Sequence, residues 1–257
     1  MFSLSPHKLS IYRQCPRRYK YQYVDGLLEH YRKYWPFYTM GAHVHGALSH
    51  FLSRTNKDRS LARLEALLAQ RWPSERRGFA SRAEEEEYRR RALGQLRWFH
   101  AHEDTSAQPH MVEAMHSVVI APDLLLTGKV DRVDREEDGS FHLIDYKTSR
   151  SSAYAEDFQL RAYAVLLTRR YGVPVSRASY LFLGGDGWVS WEPSADDLAR
   201  TEAELAAARE DILAERDFQA RPNRFCPWCD FLELCDPTTG DLALGLDDDP
   251  PWDEVAG

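Results

Sequence analysis

Residues 143–149 read LIDYKTS, a β-favouring run in which an acid and a lysine stand two positions apart behind Leu143 and Ile144. Residues i and i+2 of a strand point to the same face, so Asp145 and Lys147 stand side by side. A surface ion pair is worth at most about 1 kcal/mol, and a half-buried one carries a desolvation cost. Folding alone is therefore a poor reason to place these charges among apolar residues. A second acid, Asp131, lies in GKVDRVD, residues 128–134. Two acids on neighbouring strands suit a hard divalent cation, which takes oxygen ligands and leaves places for water and a phosphate.

The pattern around these residues sets the order of elements. The runs VEAMHSVVIA, LLLTGKVDRVD and SFHLIDYKT read as three β segments. The turn signal Glu137-Asp138-Gly139 separates the last two, which predicts an antiparallel meander. Residues 155–171 return to helical periodicity, 178–183 and 188–191 read as strands around Gly184-Gly185-Asp186-Gly187, and 194–216 as a long helix opening on a serine cap. Upstream, Ser5 before Pro6 predicts a helix to about Gln14, interrupted by Pro16. Helical stretches at about 38–54, 58–71 and 81–103 complete a helical first third. The expectation is one α/β domain over 1–237: a mainly helical lobe at 1–110, a sheet core of β-β-β-α-β order at 111–193, and a helix with a cysteine segment at 194–237. Residues 238–257, rich in Asp and Pro, read as an acidic disordered tail.

Gly128-Lys129-Val130-Asp131, then Asp145-Tyr146-Lys147, then Gln159-Leu160-Arg161-Ala162-Tyr163 resembles the PD-(D/E)XK nuclease superfamily, in its RecB-like branch. The resemblance implies a restriction-endonuclease-like mixed sheet and a divalent-metal-dependent deoxyribonuclease, expected to be an exonuclease acting on single-stranded or duplex DNA ends. It implies that Asp131 and Asp145 bind magnesium or manganese, together with the backbone carbonyl of Tyr146, and that Lys147 assists the attacking water. Gln159 and Tyr163, four apart on one helical face, take the positions of the family's Gln-x3-Tyr element. GAHVHG matches its Gly-x3-His element at Gly41 and His45, which makes His45 a further metal ligand. Glu113 matches an acid before the first catalytic strand, expected to support the site rather than bind metal.

Cys226-Pro-Trp-Cys229, Cys235 and the remote Cys15 are the four cysteines of the chain. Three clustered thiols and a fourth can hold zinc or a [4Fe-4S] cluster, and spacing does not choose between them. The resemblance to AddB-type and CRISPR-associated RecB-like nucleases implies the cluster, as a structural tie between the two ends of the domain. Such domains act in recombinational repair or in CRISPR spacer acquisition, beside a helicase or an integrase partner chain. No G-x4-G-K-[ST] phosphate loop is present, so a motor would belong to another chain.

The net charge of −7 is carried entirely by the seven acids of 236–257, which leaves residues 1–235 neutral with basic segments inside. Arg17, Arg18 and Lys20, among several tyrosines, are candidates for DNA contact. The acidic tail would compete with phosphate if it folded over them. No run of about 18 apolar residues occurs and the N-terminus lacks an apolar signal core, so a cytoplasmic protein with no membrane role is expected. Two other readings compete: a DNA-binding scaffold subunit that keeps the fold without cleavage, and an iron-sulfur redox or regulatory protein.

Overall fold

The computed structural model describes residues 1–149, 157–185 and 187–235; the acidic tail lies outside them. The chain opens with a short strand, β1 (Phe2–Leu4), and a helix, α1 (Pro6–Gln14). Ser5 caps α1, its Oγ accepting the Lys8 N–H at 3.1 Å, while Pro6 fills a position whose N–H has no helical partner anyway. Cys15 is extended, and Pro16 opens the four-residue helix α2 (Pro16–Tyr19). The expected interruption is thus a sharp turn at the cysteine itself. A π-helical turn (Lys20–Val24) and the short α3 (Leu28–Tyr31) follow.

Three long helices come next: α4 (Pro36–Leu52), α5 (Leu61–Arg71) and α6 (Arg82–His102). Then come β2 (Met111–Ala121), β3 (Leu124–Arg135), β4 (Phe141–Lys147), α7 (Phe158–Tyr171), β5 (Val175–Phe182), β6 (Gly187–Trp191) and α8 (Ala195–Ala214). Ser194 and Asp197 form a reciprocal capping box at the start of α8, as its serine signalled.

The sheet runs β1-β3-β4-β5-β6, with β2 paired to β3. The β2-β3-β4 meander is antiparallel, and α7 carries the chain from β4 to its parallel neighbour β5. The architecture is therefore mixed α/β with the expected β-β-β-α-β core. One correction concerns the first third, which is not wholly helical: β1 pairs in parallel with β3. Three residues are too few to display a strand period.

Two cores flank the sheet. Leu143 packs on one side with α7 residues such as Ala162 and Leu166. Ile144 and Tyr146 pack on the other with Val44, Phe51 and Phe99 from α4 and α6. Every residue of β4 is buried, so its apolar side chains serve both faces of the sheet, and His142, Asp145 and Lys147 must find partners inside.

At β3 the alternation breaks. Val130 and Val133 both join the core on the α7 side, although strand positions of opposite parity face opposite ways. The change of face falls at Asp131 and Arg132. Across the ladder Glu113 has φ of 49°, while its neighbours Val112 and Ala114 keep one common register with β3. The β3–β4 pairing runs from Arg135↔Phe141 to Arg132↔Ile144 and stops short of Asp131. That gap is where the acids gather.

Candidate active site

His45 on α4, Glu113 on β2 and Asp131 on β3 bring ligand atoms within 4.8 Å of one another. His45 Nδ1 lies 3.2 Å from Asp131 Oδ2 and 3.7 Å from Glu113 Oε1. Three separate elements supply this set, so it exists only in the folded chain. Glu113, expected as a supporting acid, stands among the candidate ligands themselves. Its left-handed backbone is costly for a side chain other than glycine, by about 1–3 kcal/mol, a strain that clusters at functional sites. Lys129, which the sequence left without a role, forms an ion pair with Glu113.

The gap in the ladder also frees the Tyr146 N–H, which donates to Asp131 Oδ2 at 2.9 Å. Burial by itself would raise the Asp131 pKa. His45, the Tyr146 N–H and Lys147 outweigh it and hold this carboxyl below its usual range. Glu113 behaves alike: burial opposes ionisation, and His45 with Lys129 overcomes it. His45 shows the reciprocal effect. Burial disfavours its charge, but Asp131 and Glu113 push its pKa up to about 10. Two ionised acids thus create a strong demand for positive charge.

Asp145 and Lys147 extend from β4 toward α7, as the i, i+2 spacing requires. Lys147 Nζ lies 2.8 Å from Asp145 Oδ2 and donates to Gln159 Oε1 at 2.9 Å. Gln159 Nε2 donates back to Asp145 Oδ1 at 3.1 Å. The result is a closed ring of three side chains. Asp145 falls outside the 4.8 Å set around His45. Burial raises its pKa, Asp131 adds to the rise, and Lys147 opposes it.

Tyr163 is 7% exposed and packs against Gly128, where a Cβ would collide with its ring. Its hydroxyl lies 3.5 Å from Gln159 Nε2. Tyr163 therefore backs Gln159 from the core. Tyr180 on β5 was not singled out from sequence, yet its ring faces Lys147 Nζ at 4.6 Å and its hydroxyl donates to Gln159 Oε1 at 3.4 Å. No local motif marks Tyr180; only the parallel register Asp145↔Tyr180 brings it there. Gly41 of the Gly-x3-His element faces Thr148, directly after β4, at a separation that leaves a Cβ only 3.3 Å from Thr148 Oγ1.

Away from this site, Cys15, Cys226, Cys229 and Cys235 line one pocket of about 420 Å³, mouth included, with Arg18 and Tyr21. All four are free thiols. The Arg221 N–H donates to Cys15 Sγ at 3.5 Å and the Asn223 N–H to Cys226 Sγ at 3.3 Å. Burial pushes the Cys229 thiol up to about 11, with Arg18 opposing, and burial also raises Cys235. No three of the sulfurs gather within 4.8 Å.

The three cations considered for DNA have partners within the protein. Arg17 Nε donates to the Phe218 carbonyl at 2.8 Å, Arg18 Nη1 to Gln14 Oε1 at 2.8 Å, and Lys20 pairs with Asp25 at 2.6 Å. No helix among the described residues is long and apolar enough to cross a membrane.

The sequence profile of the PD-(D/E)XK nuclease superfamily matches residues 3–236. A solved structure described as "Crystal structure of SSO0001" is similar at 17% identity, with a TM-score of 0.47 over 92% of this chain and 86% of that chain. No curated protein matches the chain.

Proposed function

The chain belongs to the PD-(D/E)XK nuclease superfamily, and on that premise we propose that it is a deoxyribonuclease that hydrolyses phosphodiester bonds with magnesium or manganese. The observation that carries this reading is the adjacency of two sets. The cation-demanding group His45, Glu113 and Asp131 stands beside the ring Asp145, Lys147 and Gln159. The donor chemistry, two or three carboxylates and an imidazole, fits manganese or magnesium.

His45, Glu113, Asp131, Asp145 and the Tyr146 carbonyl are the groups that would hold the ion. Bound there, the ion supplies Lewis acidity toward the phosphate and an acidified water. Lys147 orients that water and offsets negative charge growing on the phosphate oxygens in the transition state. Gln159 keeps Lys147 and Asp145 in register, bonding each through a different end of its amide. The Tyr146 N–H holds the Asp131 carboxylate to one orientation. Tyr163 and Tyr180 fix Gln159 and Lys147 from behind, so little reorganisation accompanies the reaction.

The finer reading is exonuclease action at DNA ends within recombinational repair or CRISPR spacer acquisition, supported by the resemblance of the catalytic and cysteine motifs to the RecB-like branch. The same resemblance supports a [4Fe-4S] cluster, with zinc as the alternative, on the four cysteines that line one pocket, where backbone N–H groups already donate to Cys15 and Cys226. End-labelled single-stranded and duplex DNA, incubated with the anaerobically purified protein and manganese, tests the activity. Short products that accumulate from one labelled end support the exonuclease. Internal cuts at early times would replace it by an endonuclease, and intact DNA with either metal would remove the nuclease.

A further inference from the structure

The first turn of α7 carries two neighbours with different duties. Gln159 bonds the catalytic pair, while Phe158, 7% exposed, packs away from it. Among the described residues no side chain caps this turn: Asp157 precedes it in helical conformation and makes no side-chain capping bond. A clasp holds it instead. The Arg13 guanidinium lies 4.6 Å from the centre of the Phe158 ring and that of Arg161 lies 5.5 Å from it. Both guanidiniums end on Glu204 of α8, Arg13 Nη2 at 2.7 Å from Oε1 and Arg161 Nη1 at 3.0 Å from Oε2. Arg161 Nε also reaches Asp157 at 3.1 Å.

Arg13 is tied at its other side to the cysteine pocket. It stands two residues before Cys15, in the last turn of α1. Its carbonyl accepts from Arg221 Nη1 at 3.1 Å, and the N–H of the same Arg221 donates to Cys15 Sγ at 3.5 Å. A shift of Cys15 therefore moves the backbone that carries Arg13. An exposed ion pair alone is a weak link, but here one cation also stacks on a buried ring whose neighbour in sequence is Gln159.

We propose that Arg13 is a positioning residue through which the four-cysteine centre sets the first turn of α7, and with it the amide of Gln159. Its catalytic consequence rests on the nuclease reading above; its structural consequence does not. Loss of the thiol centre would loosen the Arg13–Phe158 contact, let this turn fray, and release the Gln159 amide from Lys147 and Asp145. Cleavage would then slow without loss of DNA affinity.

Hydrogen exchange on the full chain, purified without oxygen, tests the coupling. The Arg161 N–H, bonded to the Asp157 carbonyl at 2.9 Å, and its neighbours in that turn are the reporters. Arg13→Gln and Cys15→Ser should each speed their exchange about tenfold, local opening being read directly in this way, and the double variant should speed it no further. Where DNA is cut, Arg13→Gln lowers kcat several-fold with KM unchanged. Unchanged exchange in Arg13→Gln, or effects of the two substitutions that multiply, would overturn the proposal. Should Cys15→Ser fail to fold, Phe158→Leu replaces it, with the same non-additivity expected. Iron absent from the wild-type protein would remove the cluster and DNA left uncut would remove the nuclease, and in both cases the exchange comparison still decides the coupling.

Discussion

Glu113 is the residue whose placement differs most from its sequence signal. The family resemblance casts it as a supporting acid, and nothing local announces a φ of 49°. The structure turns the strand at that position and brings the carboxylate to 3.7 Å from His45. Glu113→Gln should therefore weaken manganese binding roughly 10–100-fold, the range seen when groups that tune a metal site are lost, as read by calorimetry. Glu113→Gly should weaken it as much while thermal stability stays within about 1 kcal/mol, since glycine relieves the backbone strain. A large loss of stability in the glycine variant would mean that the strained conformation is not what the side chain holds. Asp131, Asp145, Lys147 and His45 were legible because each sits in a spaced motif. Lys129 and Tyr180 were not, because their roles depend on neighbours distant in sequence.

Among the elements, β4 and α7 carry the site. The spacing of Gln159 and Tyr163 placed both on one helical face, and the structure keeps them there, with Tyr163 inside the core rather than open to substrate. Gly128 makes that packing possible. Gly128→Ala would force the Tyr163 ring aside, at about 1–3 kcal/mol of overpacking, and would slow cleavage by displacing Gln159. Denaturant midpoints read the first effect and turnover the second; a variant as stable as wild type would contradict the contact. β4 also buries His142, whose Nε2 lies 2.8 Å from Ser179 Oγ. Burial, reinforced by Arg177, pushes its pKa down to about 4, against about 6.5 in an unfolded chain.

Between those values the unfolded state takes up a proton that the folded state refuses. The stability tied to neutral His142 is thus complete above about pH 6.5 and falls away as the pH drops toward 4, by up to about 3 kcal/mol. Urea titrations of wild type and His142→Gln at pH 7 and pH 4.5 isolate this contribution. The wild type should lose more stability than the variant on acidification, and equal losses would show that His142 is already charged in the folded state. Nothing local marks this histidine, since its partners, Ser179 of β5 and the Trp188 ring of β6 with its centre 5.7 Å away, are distant in sequence.

For the whole molecule, the order of helices, meander, crossover and cysteine segment followed from periodicity and turn signals, and the family match covers residues 3–236. What stayed hidden was long-range: the parallel pairing of β1 with β3 and the clasp between α1, α7 and α8. On the proposed reading, a cluster on the four cysteines would close a loop of more than 200 residues between Cys15 and Cys226. A tie across so long a loop limits the unfolded chain and is worth on the order of 4 kcal/mol by analogy with cross-links. Cys226→Ala should lower the thermal midpoint by several degrees in anaerobic scans and remove the brown absorption near roughly 400 nm expected of a thiolate-bound cluster. A colourless wild-type protein holding one zinc would leave the tie but replace its metal.

On the proposed reading Lys147 assists water attack on a phosphodiester beside a cation that His45, Glu113, Asp131 and Asp145 would hold. The decisive measurement is manganese-dependent cleavage of end-labelled DNA by wild type, Asp145→Ala and Lys147→Met at matched DNA occupancy. The expected result is cleavage by wild type and a loss of at least about a thousandfold in either variant, the scale on which electrostatic stabilisation of a transition state acts, with DNA affinity retained. Cleavage by Asp145→Ala at the wild-type rate, or DNA bound but never cut by wild type with either metal, would contradict it.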